Sequence, residues 1–186
     1  MLSYIITLKP HSNSLTDHSK LKHSPKICKI LINMHAHHST HIDLKMDNVC
    51  VQPDGHDQVK ATMIDFGLVT PFGHRLTFNG NCPQTYIAPE IRQELPVDGR
   101  ADVCSLAYSM SADLYEEVTL LSNDPNTHLS LQRHLKCLVN WIVSALQTDR
   151  SCHGTLEDLL QIIKLLHPHL DLTPATSQSS THKCRP

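Results

Sequence analysis

Apolar and polar residues follow two different rhythms along this chain. Over residues 27–37, Ile27, Ile30, Leu31 and Met34, with His35, recur at the three-and-four spacing of a helix. "NVCV" and "VKATMID" are short runs of β type, and "QPDGHDQ" between them carries the Pro-Asp-Gly chemistry of a turn, so a hairpin is expected across 48–65. Residues 71–85 hold two prolines, two glycines and few apolar positions, which predicts a long loop of the kind that usually has a function. Helical rhythm then returns. "RADVCSLAYSMSADLYEEV" sets Val103, Leu106, Met110, Leu114 and Val118 on one stripe, and "HLSLQRHLKCLVNWIVSALQ" is strongly apolar around Trp141. "TLEDLLQIIKLL" opens with Thr155 as a candidate N-cap and Asp158 three residues on. Residues 9–26 are polar with two prolines, which suggests a loop or a frayed helix, and the Pro-, Ser- and Thr-rich tail suggests disorder. The expected organisation is a polar segment over 1–26, one domain over 27–166 and a disordered tail over 167–186. The fold class is mainly α with a small β-hairpin, without internal repeats.

Composition narrows this picture. A chain of 186 residues, 40% hydrophobic and 18% charged, suits one globular domain with a real core. A formal charge of −2 and a pI near 6.7 provide no basic field for nucleic acid or a membrane surface. Apolar runs such as "LINM" are too short to span a bilayer. "YIITL" near the start has neither a basic flank before it nor a small-residue cleavage site after it, so no signal peptide is expected. The expected setting is intracellular, cytoplasmic or nuclear. Seven cysteines, an odd number without a CxxC pair, fit reduced thiols better than a disulfide framework. The fifteen histidines are unusual, and His35, His37, His38 and His41 crowd into "HAHHSTH". That invites a metal reading, but no cysteine pair closes a tetrahedral set nearby. A helix end running into a loop, with imidazoles facing several ways, is the expected alternative.

The chemistry concentrates in "HIDLKMDN". Phosphoryl transfer needs metal ions held against phosphate, a carboxylate near the acceptor hydroxyl and positive charge on the transferring group. Asp43 and Asn48, on one loop, supply a carboxylate and an amide oxygen of the kind magnesium takes. Lys45 adds an ammonium, and a hairpin would return Asp65 beside them. The plainer alternatives are turn-forming polar residues for Asp43, Asn48 and Asp65, and a solvated surface lysine for Lys45.

"HIDLKMDN" resembles the H-R-D-L-x-x-x-N catalytic loop of eukaryotic protein kinases. "DFG" at 65–67 matches the metal-binding motif that follows it, and "APE" at 88–90 matches the end of the activation segment. "ADVCSL" looks like the run whose aspartate, Asp102, braces the catalytic loop, and "LQTDRSCHGTLEDLL" is similar to the last segment of the family. The ordered set spans about 27–166. The resemblance implies a kinase-like C-terminal lobe, an incomplete kinase fold, using ATP and magnesium to phosphorylate serine or threonine of a protein partner. It implies Asp43 and Lys45 as catalytic residues, with Lys45 also near the γ-phosphate. It implies Asn48 and Asp65 as magnesium ligands, Cys50 under the adenine, and His41 and Phe66 in the apolar spine joining the lobes. For Cys50, plain packing is the competing role.

Departures from the family pattern are equally specific. The glycines lie at 55, 67, 73, 80, 99 and 154, so none form the G-x-G-x-x-G loop that covers the phosphates, and the strand lysine and helix glutamate are also missing. Ile42 replaces the arginine that answers an activation-loop phosphate, and "GNCPQT" alters the substrate-facing loop around Thr85. Cys104 and Ala107 replace a tryptophan and a glycine. His153 holds the place of the arginine that pairs with the "APE" glutamate, followed by Gly154 instead of proline. Glu90 is therefore expected to pair with His153 or with Arg150. Impaired transfer by the isolated chain is expected, with an inactive scaffold or a fragment of a longer kinase as the alternatives.

Overall fold

Helix α1, His18–Ala36, starts well before the apolar rhythm does. Of the loop or frayed helix expected over 9–26, the helix is what forms over 18–26, with Pro25 inside it. A proline in a helix interior costs about 3 kcal/mol by propensity. Ser24, Pro25, Ile27 and Cys28 are all buried on this turn, so tertiary packing overrides it. A computed structural model describes residues 18–53, 59–77, 87–123 and 129–166. The Pro-Asp-Gly turn, the altered stretch around Thr85 and the tail from 167 lie outside the described residues.

The hairpin forms as expected. Strand β2, Val49–Pro53, pairs antiparallel with β3, Val59–Met63, in the register Val49 to Met63 and Cys50 to Thr62. A second sheet has no signal in the sequence: β1, Ser39–Thr40, pairs with β4, Thr70–Pro71. Both are two residues long, too short for alternation to register. Four further α-helices follow among the described residues: the short α2, Pro89–Arg92, then α3, Arg100–Asn123, α4, Leu129–Ala145, and α5, Leu156–Leu166. Among the described residues the fold is mostly helical, with two two-stranded sheets.

Helix α3 packs along α4, and α1 packs against α5 and β3. The main core joins them through Leu31, Met63, Leu106, Leu138, Ile142 and Leu159, each at most 2% exposed. Val103, Leu106 and Met110 of the predicted α3 stripe are buried in it. Each such side chain contributes about 1.5–3 kcal/mol by leaving water. A smaller core of Ala88, Ile91, Val97, Ala101 and Cys104 lies under α2 and the start of α3. Ile42 packs against it, tying residues 41–48 to the "APE" segment. No described helix is long and apolar enough to cross a membrane.

Candidate active site

The loop from His41 to Asn48 is held by Asp102, in the first turn of α3. That carboxylate is fully buried. It accepts the His41 N–H at 2.9 and 3.1 Å, the Ile42 N–H at 3.0 Å and His35 Nε2 at 2.9 Å. These donors offset the desolvation that an unpaired buried carboxylate would suffer. They also hold Ile42 at φ +70°, a conformation that strains a β-branched residue. The bracing role expected of Asp102 is therefore present in the geometry.

Beyond this anchor the chain turns through a 3-10 helix, Met46–Asn48, and three of the predicted site residues meet. Lys45 Nζ donates to Asp43 Oδ2 at 2.8 Å, and Asn48 Nδ2 donates to the same oxygen at 2.9 Å and to the Asp43 carbonyl at 2.8 Å. Asp43 and Lys45 are partly exposed, whereas Asn48 is buried. Asp43 Oδ1 accepts no hydrogen bond from the described residues. Because its Nδ2 serves Asp43, Asn48 keeps its carbonyl oxygen for another partner.

The hairpin returns the chain beside this loop. Ile64 N–H donates to the Asn48 backbone carbonyl at 2.9 Å, so Asp65 follows one residue after the contact. Asp65 is exposed and sits at φ +60°, a conformation aspartate tolerates better than most residues. Its side chain makes no hydrogen bond to Asn48. Its Oδ1 instead accepts from the Gly67 N–H at a long 3.4 Å. His41 Nε2 donates to the Ile64 carbonyl at 3.2 Å and its ring lies 5.3 Å from that of Phe66, joining the loop to the "DFG" turn. Cys50 is buried on β2 opposite Thr62.

The four clustered histidines do four different things. His35 bonds Asp102, His37 Nδ1 donates to the Asn33 carbonyl at 2.8 Å, His38 packs edge-on against Phe72, and His41 is buried under Ile64. No group of three or more His, Cys, Asp or Glu among the described residues could hold a metal ion. The contact of His35 with Asp102 was missed from the sequence, because no spacing links residues 67 apart.

The expected pairing of Glu90 does not form. Glu90 is 2% exposed, and neither carboxylate oxygen has a hydrogen-bond partner among the described residues. Arg150 turns instead to the Pro96 carbonyl at 2.9 Å and lies 3.8 Å from Asp98. His153 Nε2 donates to the Gln147 carbonyl at 2.8 Å, which leaves its buried Nδ1 bare. His153 is taken up by its own loop and Arg150 by the 96–98 segment, so neither reaches Glu90. Burial pushes the nearby Cys104 thiol up to about 11, with Glu90 adding to the shift and Arg92 opposing it. Burial likewise raises the Cys28 thiol. Hydrogen bonds from Ser151 hold the exposed Asp149 carboxyl below its usual range.

A family model for the protein kinase domain matches residues 4–182. The chain belongs to the protein kinase family, whose members generally use ATP and magnesium and act on protein substrates.

Proposed function

We propose that this chain is the C-terminal lobe of a serine/threonine protein kinase, with its body over 27–166 and α1 extending it back to 18. It carries the floor of the transfer site and transfers phosphate poorly by itself. The observation that supports this best is Asp43. Lys45 and Asn48 fix one of its oxygens, the other is bare, and the loop beneath is tied to Asp102. Asp43 would orient the substrate hydroxyl and take its proton, and Lys45 would lie against the transferring phosphate. The donor set also suits magnesium, since the Asn48 amide oxygen and the exposed Asp65 carboxylate are hard oxygen ligands. When bound, the ion supplies charge neutralisation between the phosphates. Cys50 would line the base of the nucleotide site.

The slowness follows from positioning. None of the glycines is spaced to cover the phosphates. Holding reactants in line accounts for about 7–11 kcal/mol in well-oriented reactions. With labelled ATP, magnesium and a generic serine/threonine substrate, residues 1–186 alone should show no measurable turnover. Steady phosphorylation abolished by Asp43→Asn would overturn the impairment. The metal site is tested separately. Manganese with ATP should broaden the nuclear magnetic resonance signals of Asn48 and of 64–67, and Asn48→Ala should abolish the effect. Unchanged signals would remove the metal reading. A scaffold role is the second reading, and the unpaired Glu90 favours it as a mark of relaxed constraint on the "APE" segment.

A further inference from the structure

The Glu90 carboxylate is bare, yet the turn that carries it is held by other contacts. Helix α2 runs on into the 94–98 segment, where the Leu95 N–H donates back to the Glu90 backbone carbonyl at 2.8 Å. Two backbone carbonyls of that segment are taken from the 71–77 stretch. Arg75 Nη1 donates to the Glu94 carbonyl at 2.9 Å, and the Gly73 N–H donates to the Val97 carbonyl at 2.8 Å. A third carbonyl, that of Pro96, accepts Arg150 Nη1 at 2.9 Å, across 54 positions of sequence. The same nitrogen lies 3.8 Å from Asp98 Oδ2, which Arg100 approaches at 3.8 Å as well. Arg150 stands on a loop that closes on itself. Asp149 accepts the Ser151 N–H at 2.9 Å and so caps the 3-10 helix Arg150–Cys152, and His153 Nε2 donates to the Gln147 carbonyl at 2.8 Å. His153 shapes that loop, and Arg150 reaches out of it.

We propose that Arg150 is the positioning residue of the "APE" turn in this chain, and that it latches the turn through the Pro96 carbonyl and not through the Glu90 carboxylate. A guanidinium has several donors in one plane, so it can serve a carbonyl while facing a carboxylate. A neutral imidazole has a single N–H, and that of His153 is engaged by Gln147. The crossing from the α4–α5 loop therefore falls to Arg150. The turn calls for such a hold. Glu94 sits at φ +52°, a left-handed conformation that strains a long side chain and persists only where its surroundings fix it. Arg75 takes the carbonyl of Glu94 and Arg150 that of Pro96, one on each side of Leu95. Val97, the next residue, is buried with Ala88, Ile91, Ala101 and Cys104, and Ile42 and Ile87 pack against that cluster. A latch at Pro96 thus bears on the small core beneath the "APE" segment.

The proposal deepens the kinase reading, because the latched turn follows the segment that matches the end of the family's activation segment. It is read without nucleotide, so its failure is distinct from failure of the transfer reading. The measurement is amide hydrogen exchange of the whole chain, resolved at Leu95 and Val97, with Leu159 and Ile163 of α5 as the reference. Arg150→Ala should speed exchange at Leu95 and Val97 about fivefold, the scale of one hydrogen bond at a partly exposed site, with the α5 amides unchanged. Arg150→Lys still brings a charged donor to Pro96 and should keep most of the protection. Glu90→Gln should leave both amides as they are, because its side chain takes no part in the latch. Unchanged exchange at Leu95 and Val97 in Arg150→Ala would overturn the proposal. So would an equal rise at the α5 amides, which marks general loss of packing, or a rise in Glu90→Gln as large as in Arg150→Ala, which places the tether at Glu90. If Arg150→Ala does not fold, Arg150→Met, which keeps the stem without the donors, decides between the same outcomes.

Discussion

Glu90 shows how far a single position can depart from what its surroundings suggest. The family pattern offers two basic side chains for it, yet both are engaged elsewhere and the carboxylate is buried bare. An unsatisfied buried polar group costs about 1–3 kcal/mol, and more when charged. Replacing Glu90 with an apolar residue of similar length should therefore stabilise the fold. Glu90→Met is expected to raise the urea midpoint by the equivalent of about 1–3 kcal/mol. A fall of that size would mean that Glu90 has a partner in solution. At the same scale, Asp43, Lys45 and Asn48 were legible because their meeting is local, within one loop. His35 was not, because its role depends on where α3 lies. Ile42 was visible only as a missing arginine, and its packing against the Ala88 and Val97 core appears only in the fold.

Among the elements, α5 was the most readable and α1 the least. Thr155 Oγ1 accepts the Asp158 N–H at 3.0 Å, and Asp158 Oδ2 accepts the Thr155 N–H at 3.1 Å and its hydroxyl at 2.7 Å. This reciprocal cap is what the spacing implies. Thr155→Ala should cost about 1 kcal/mol, read as a lower denaturation midpoint. Just before it, Gly154 leaves room for Trp141. A Cβ there would fall 2.6 Å from the Trp141 ring, whose Nε1 donates to the Thr155 carbonyl at 2.8 Å. Gly154→Ala should therefore destabilise by about 1–3 kcal/mol through overpacking, and an unchanged midpoint would show that the ring can move. The early start of α1 escaped the sequence because "HSKLKHSPK" has no apolar rhythm and carries a proline. The β1–β4 pair escaped because two-residue strands have no period to detect.

For the whole molecule, the buried thiols set an upper pH limit. The Cys104 pKa is raised by burial from its ordinary value near 9 to about 11, and the Cys28 thiol is raised as well. Between those values the unfolded chain releases the proton while the folded chain keeps it. Their stabilisation is complete below pH 9 and fades as pH rises through the folded pKa. Denaturation midpoints should fall between about pH 8 and about pH 10.5, and Cys104→Ala should lose less over that interval. An identical loss in the variant would reject Cys104 as a source. At neutral pH the exposed Cys137 and Cys152 should be alkylated before the buried Cys28, Cys50 and Cys104. By itself, the sequence determined the order of helix, hairpin, loop and helices, the apolar faces that build the main core, and the local cluster of Asp43, Lys45 and Asn48. Each of these is a short-range pattern, fixed by residue type and spacing. Only the tertiary structure decided which histidine serves Asp102, that Glu90 lacks its expected partner, and that Phe72 lies against the end of α1. Those depend on distances between segments far apart in the chain, where competing local partners and available space choose the outcome.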